Sequence, residues 1–317
     1  MTQGTELLFS FLVLSSAAAA QEAGGPKRVG LLFMGPQDSA IVFADQVRAG
    51  MREQGWTEGS TFVLEVRYAN NRAERIGEMA SELARVPVQL IMVAGTPSTL
   101  AVRKAVPAMP ILALVADPAG SGLVTPGGTV AAIDIVPAEL PARQLQLLRE
   151  IIPGFQRLGL VWNGSNPVGR AAAKRVSDAA AREGLQVLAA NAGHVDKLEE
   201  AFAQVRGNGA QGVLVIADPV FVPHTEVGRL ARESGLPVVC PEVGSVQNGC
   251  LLAYGVNVPT AFRQSASWID RILKGTPPGD LPIGKPERYE LVIHSGTARS
   301  MNLKVPASVL QRAQVVE

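Results

Sequence analysis

Short apolar runs alternate along the chain with segments of amphipathic, helical spacing. RVGLLF (28–33) reads as a strand and AIVFADQVRAGMREQ (40–54) as the helix that follows it. TFVLEVRYA (61–69) predicts the next strand, with a helix running to Arg85, and LIMVAG (90–95), ILALVA (111–116) and VAAIDIV (130–136) predict three more strands. These runs are continuously apolar, which suits strands covered on both faces of a parallel sheet. Strand–helix–strand order then predicts doubly wound α/β architecture.

The second half repeats the pattern. RLGLVW (157–162) matches RVGLLF at a separation of 129 residues, and Gly55 of REQGW and Gly184 of REGL are also 129 apart. LIMVAGTP (90–97) resembles VLVIADP (213–219), and MPILAL (109–114) resembles LPVVC (236–240). Two similar lobes follow, the first from about Pro26 to Val136 and the second from about Pro137 to Tyr254. Thr260 to Lys274 predicts one amphipathic helix, stopped by Gly275 and Pro277. The strand YELVIH (289–294) and a short helix ending near Leu303 complete the tail. If these pieces rejoin different lobes, the chain crosses three times. The expected limits are 27–136 with 257–283 for one lobe and 137–256 with 284–317 for the other.

The 317 residues suffice for two cores. Twenty-nine Lys and Arg balance 28 Asp and Glu, with no basic run, so no nucleic-acid partner is expected. The apolar segment Leu7–Leu14 precedes the small residues Ser15–Ala20. It predicts a signal peptide cleaved near Ala20, hence export to the periplasm, with residues 1–26 as leader and short linker. Glu6 and the lack of Lys or Arg depart from the usual leader pattern. The only cysteines, Cys240 and Cys250, end one strand pattern and begin the next. In parallel strands such positions lie at opposite ends, beyond the ~7 Å a disulfide spans, so both thiols are expected free.

In open α/β sheets ligands bind beyond the carboxyl ends of strands. GTPST places Thr96, Ser98 and Thr99 at a strand end that opens a helix, where hydroxyls and backbone N–H groups hold an anion or simply cap the helix. Asp117 and Asp218 each end a strand before a proline and offer a partner to a ligand ammonium, or a turn cap. Asn163 and Asn166 in VWNGSNP serve as ligand contacts or as Asx turns. Phe33, Trp162, Phe221 and Tyr254 are aromatics at the same rim, suited to stacking on an apolar or aromatic side chain or to core packing.

Enzyme signatures are missing. GSGLVT (120–125) is an incomplete dinucleotide fingerprint, and neither a Walker A sequence nor a Gly-x-Ser-x-Gly elbow occurs. His194, His224 and His294 are isolated, so neither a metal nor a cofactor is expected. Asp117 and Asp218 facing each other would also suit a two-lobed, racemase-like enzyme. A ligand-binding sensor subunit is the other open alternative.

The segments RVGLLF…REQGW, VAGTPST, ADPAGSGLV, PGGTVAAID, LGLVWNGSNP, YGVN, ASWIDRILKG and LPIGKPERYELVIHSGTA occur in an order that resembles one bacterial family. It comprises the extracytoplasmic substrate-binding components of ABC transporters related to tryptophan-binding proteins. The resemblance runs from about Lys27 to the C-terminus. It implies a type I periplasmic-binding-protein fold, α/β with three crossings between two parallel-sheet lobes. It also implies a small-molecule ligand, an aromatic or other amino acid, held between the lobes. The expected partners are an ABC permease and its ATPase subunit, met by a monomer in peripheral contact with the membrane transporter.

Overall fold

A computed structural model describes residues 25–317 apart from Pro223; the leader expected over residues 1–26 lies almost wholly outside that range. The first lobe runs β1 (Lys27–Phe33), α1 (Gln37–Glu53), β2 (Phe62–Tyr68), α2 (Arg75–Arg85), β3 (Val88–Ala94), α3 (Thr96–Ala105), β4 (Ile111–Val115) and β5 (Val130–Asp134). The second runs α4 (Leu140–Ile151), β6 (Arg157–Trp162), α5 (Pro167–Arg182), β7 (Gln186–Asn191), α6 (Leu198–Gly207), β8 (Gly212–Val215), α7 (Thr225–Ser234), β9 (Val238–Val239) and β10 (Leu252–Gly255). Two helices follow, α8 (Val258–Gln264) and α9 (Ala266–Leu273), then β11 (Glu290–His294), α10 (Ser295–Ser300), α11 (Ala307–Leu310) and β12 (Gln314–Val316).

The internal repeat is structural. One sheet has the order β2-β1-β3-β4-β5, and the other reads β7-β6-β8-β9-β10-β11-β12 from its far edge, so the first five positions match. Gly55 and Gly184 follow equivalent helices and both adopt left-handed backbone, φ 85° and 72°. That conformation ends a helix at little cost only in glycine.

Each sheet is covered on both faces, as its unbroken apolar strands require. In the first lobe Leu31 and Phe33 of β1 meet Phe43, Val47, Phe262 and Ile269 from α1, α8 and α9. Leu32 faces the other way, toward Ile76, Met79, Leu83 and Val102 of α2 and α3. In the second lobe α4 and α5 bury Leu148 and Val176 on one face, while α6 and α7 bury Phe202 and Leu230 on the other.

Three segments cross between the sheets. The first leaves β5 for α4. The second leaves β10 for α8, which packs in the first lobe's core. The third leaves Gly284, which is bridged to Ile133 of β5, and enters β11 in the second sheet.

The structure departs from expectation at three places. β11 runs antiparallel to β10, so the second sheet is mixed at that side. The helix predicted over Thr260–Lys274 is broken at Ser265, whose buried hydroxyl donates to the Phe262 carbonyl at 2.6 Å. Such back-bonding competes with the helix ladder and bends it. Cys240 and Cys250 are not free: they form a disulfide, with Cα atoms 5.7 Å apart. The opposite-ends argument assumed strands of ordinary length. β9 has two residues, and a 3-10 turn over Val243–Asn248 folds the return back upon it.

Thiol labelling of the denatured, unreduced protein should therefore find no reactive cysteine until reductant is added. Replacing both cysteines with alanine should lower stability by about 2–4 kcal/mol in chemical denaturation. Ready labelling without reductant would show the bridge does not form.

Candidate functional site

Because strands within each parallel sheet point the same way, the loops after β1, β3, β4, β6, β8 and β9 gather at one edge of each lobe. The two edges meet around a cavity of about 130 Å³, roughly ten times the ~10–15 Å³ that one water requires. Its wall is chiefly apolar. Phe33, Phe43 and Phe262 form an aromatic row with ring centroids 4.9 and 4.7 Å apart. Val115, Ile135, Leu140 and Val256 continue the apolar surface.

Few polar side chains reach this cavity: Thr96 from the first lobe, and Asn166, Asp218, His224 and Glu242 from the second. Asn166 caps α5, its Oδ1 accepting from the Val168 N–H at 3.0 Å while its Nδ2 donates to Asp218 at 2.8 Å. The other Asp218 oxygen accepts from the Val220 N–H at 3.0 Å. Asp218 is only 4% exposed. Loss of hydration raises its carboxyl pKa above the ordinary range, outweighing those hydrogen bonds, one from Asn163, and the nearby His224. No Lys or Arg contributes to that balance. A buried carboxylate without a cation is costly, and a ligand cation relieves it.

Across the cavity Thr96 begins α3, and its buried hydroxyl has no hydrogen-bond partner. The α3 N-terminus carries unpaired N–H groups and the positive end of the helix dipole, both suited to an anion. Gly95 precedes it with φ 89°, and a Cβ there would lie 2.5 Å from Pro219 Cγ of the other lobe. Only glycine lets the two rims approach so closely. At the mouth Asp117 and Arg175 lie 3.7 Å apart, linking the first lobe to α5.

The family model for ABC transporter substrate binding proteins matches residues 31–317. The chain belongs to this family. Its members are substrate-binding proteins and not enzymes. A tyrosine-binding protein of Clostridioides difficile is 23% identical over 261 residues, covering 80% of this chain and 74% of the relative. The solved structure of an ABC domain in complex with L-Trp from Streptococcus pneumoniae superposes with a TM-score of 0.83 at 19% identity, over 92% of this chain and 100% of that one. A conserved domain protein from Vibrio cholerae gives 0.84 at 20% identity, over 92% and 99%. These likenesses establish the two-lobed fold.

In this substrate-binding protein the cavity gathers four of the expected residues: Phe33, Thr96, Asn166 and Asp218. The others sit elsewhere. Thr99 donates to the Gly95 carbonyl at 2.9 Å, and Ser98 is buried without a partner behind the rim. Asn163 closes an Asx turn onto the Ser165 N–H at 2.9 Å. Asp117 accepts from the Gly120 N–H and lies 3.7 Å from Arg175, outside the cavity lining. Phe221 is fully buried in the second lobe's core, Trp162 packs at that lobe's other core, and Tyr254 pairs with Tyr289.

Phe43, Phe262, His224 and Glu242 escaped sequence reasoning. The two phenylalanines stand on the helices α1 and α8 rather than on strand-end loops. The histidine was weighed only as a metal ligand. The position of His224 and Glu242 just beyond β8 and β9 was the available signal.

Two outcomes follow. A carboxyl whose folded pKa is raised contributes stability below its unfolded value near ~3.9 and loses it as pH rises through the folded value. Asp218→Asn should therefore raise the melting temperature of ligand-free protein at neutral pH, the gain fading on acidification; a pH-independent difference would contradict it. Gly95→Val should hold the lobes apart and weaken ligand binding by about 2 kcal/mol or more, on the scale of overpacking, with scattering showing a larger radius at saturating ligand.

Proposed function

We propose that this chain is the extracytoplasmic receptor of an ABC importer, closing two lobes around an aromatic or apolar amino acid. The observation that carries it is Asp218, a buried carboxylate with no Lys or Arg partner among the described residues, lining one aromatic-walled cavity together with Thr96 at a helix N-terminus. A zwitterion meets both ends of that arrangement: its ammonium pairs with Asp218 and its carboxylate with Thr96 and the start of α3. The side chain then lies on Phe33, Phe43 and Phe262. The tyrosine-binding relative and the L-Trp complex support this class of ligand.

Closure is the mechanism. Each lobe supplies part of the contacts, so only the closed form satisfies the ligand's polar groups, and binding shifts the population toward it. The rigid units would be 27–136 with 257–283 and 137–256 with 284–317, which the permease and its ATPase subunit read as a closed pair. A leader cleaved near Ala20 would deliver the chain to the periplasm.

Calorimetry with the common amino acids is the direct test. An aromatic or large apolar amino acid should bind, and Asp218→Ala should cost about 2–5 kcal/mol of affinity because the ligand ammonium stays buried unpaired. Binding of a sugar or inorganic anion in preference to every amino acid would overturn the ligand class. Intact-mass measurement of exported protein should find an N-terminus near Gln21, and a full-length cytosolic chain would contradict export.

A further inference from the structure

Once the head group of an amino acid is satisfied by Asp218 and Thr96, one polar group of the cavity still lacks a task. His224 is only 7% exposed, its Nε2 has no hydrogen-bond partner, and it lines the cavity. Its backbone is left-handed, φ 31°, a conformation uncommon outside glycine that places the imidazole immediately before α7. Its Nδ1 lies 3.2 Å from Glu242 Oε2, and Glu242 also lines the cavity.

The chemistry of that pair is directional. An ionised carboxylate only accepts, so Glu242 holds the imidazole proton on Nδ1 and leaves Nε2 with its lone pair. His224 lines an apolar cavity, and a buried acceptor is expensive to leave unpaired. Asp218 and Glu242 follow adjacent strands, β8 and β9, about 4.8 Å apart in the sheet. The imidazole is thus a neighbour of the head-group anchor but a separate contact, with Glu242 and Asp218 the charged groups that bear on it.

We propose that His224 Nε2, oriented by Glu242, accepts a hydrogen bond from a ring N–H or O–H of the ligand, so that the cleft selects aromatic amino acids with a ring donor over phenylalanine. The inference rests on the amino-acid reading above. Phenylalanine fills the same apolar wall but leaves Nε2 unpaired, and sites built to hydrogen-bond a substrate group reject analogues lacking it. Glu242 is a positioning residue, acting through the tautomer.

The test is calorimetry of the mature protein with L-tyrosine, L-tryptophan and L-phenylalanine. Wild type should bind tyrosine or tryptophan about tenfold or more tighter than phenylalanine. His224→Asn, which tolerates the left-handed backbone, should abolish the preference while leaving phenylalanine affinity within about threefold. Equal losses for all three ligands would assign His224 to the head group and overturn the proposal, as would a wild type without preference. Failure of wild type to bind any of the three would sink the amino-acid reading itself, and the proposal with it. Should His224→Asn fail to fold by circular dichroism, Glu242→Gln decides. The amide no longer compels the proton onto Nδ1, so the preference should narrow, and an unchanged preference overturns the inference.

Discussion

A carboxylate kept from water, with no Lys or Arg beside it among the described residues, is the constraint around which this molecule is arranged. Asp218 retains hydrogen bonds from Asn166 and the Val220 N–H, enough to fix its direction but not to offset its lost hydration. Such a group is stable only if water can reach it or a counter-charge arrives. Separate lobes joined by three short segments would permit both, an open form hydrating the carboxylate and a closed form pairing it with a ligand cation. The close approach of Gly95 to Pro219 beside it then makes closure and charge pairing one event.

The two lobes share strand order, and function resides where they diverge. In the first lobe a single residue, Gly95, separates β3 from α3, so the helix N-terminus opens directly on the cleft. The equivalent link between β8 and α7 spans residues 216–224 and contains a 3-10 turn over Pro219–Phe221. That longer loop carries Asp218, the proline that meets Gly95, and His224. One lobe therefore presents a bare helix dipole and the other a carboxylate, which is the asymmetry a zwitterion requires.

The architecture was legible because burial on both faces leaves a composition signal: RVGLLF and RLGLVW are apolar after the leading Arg28 and Arg157, and their spacing exposes the repeat. Thr96, Asn166 and Asp218 were legible as strand-end polar residues that also cap or turn. Of the aromatic wall only Phe33 was. Trp162 and Phe221 end strands or follow them but face their own lobe's core, while Phe43 and Phe262 reach the cleft from helices. Which face an aromatic covers depends on helix placement between lobes, which strand periodicity does not encode. The cysteine pairing failed for a related reason: strand length, not strand order, sets how far apart neighbouring strand ends lie.

The disulfide also bears on where the cleft is built. Cys240 closes onto Cys250 around a loop that begins with Pro241 and Glu242, both lining the cavity. A covalent clamp one residue behind Pro241 limits how far that wall can relax when no ligand is present. Preorganisation of this kind lowers the entropy lost on binding and leaves hinge motion as the main freedom. Such bridges persist in oxidising compartments and are rare where thiols are kept reduced. The apolar run Leu7–Leu14 points to export on grounds of targeting, and the disulfide does so on grounds of redox chemistry. The bridge beside the cavity therefore suits a substrate-binding protein that meets its ligand in an oxidising environment.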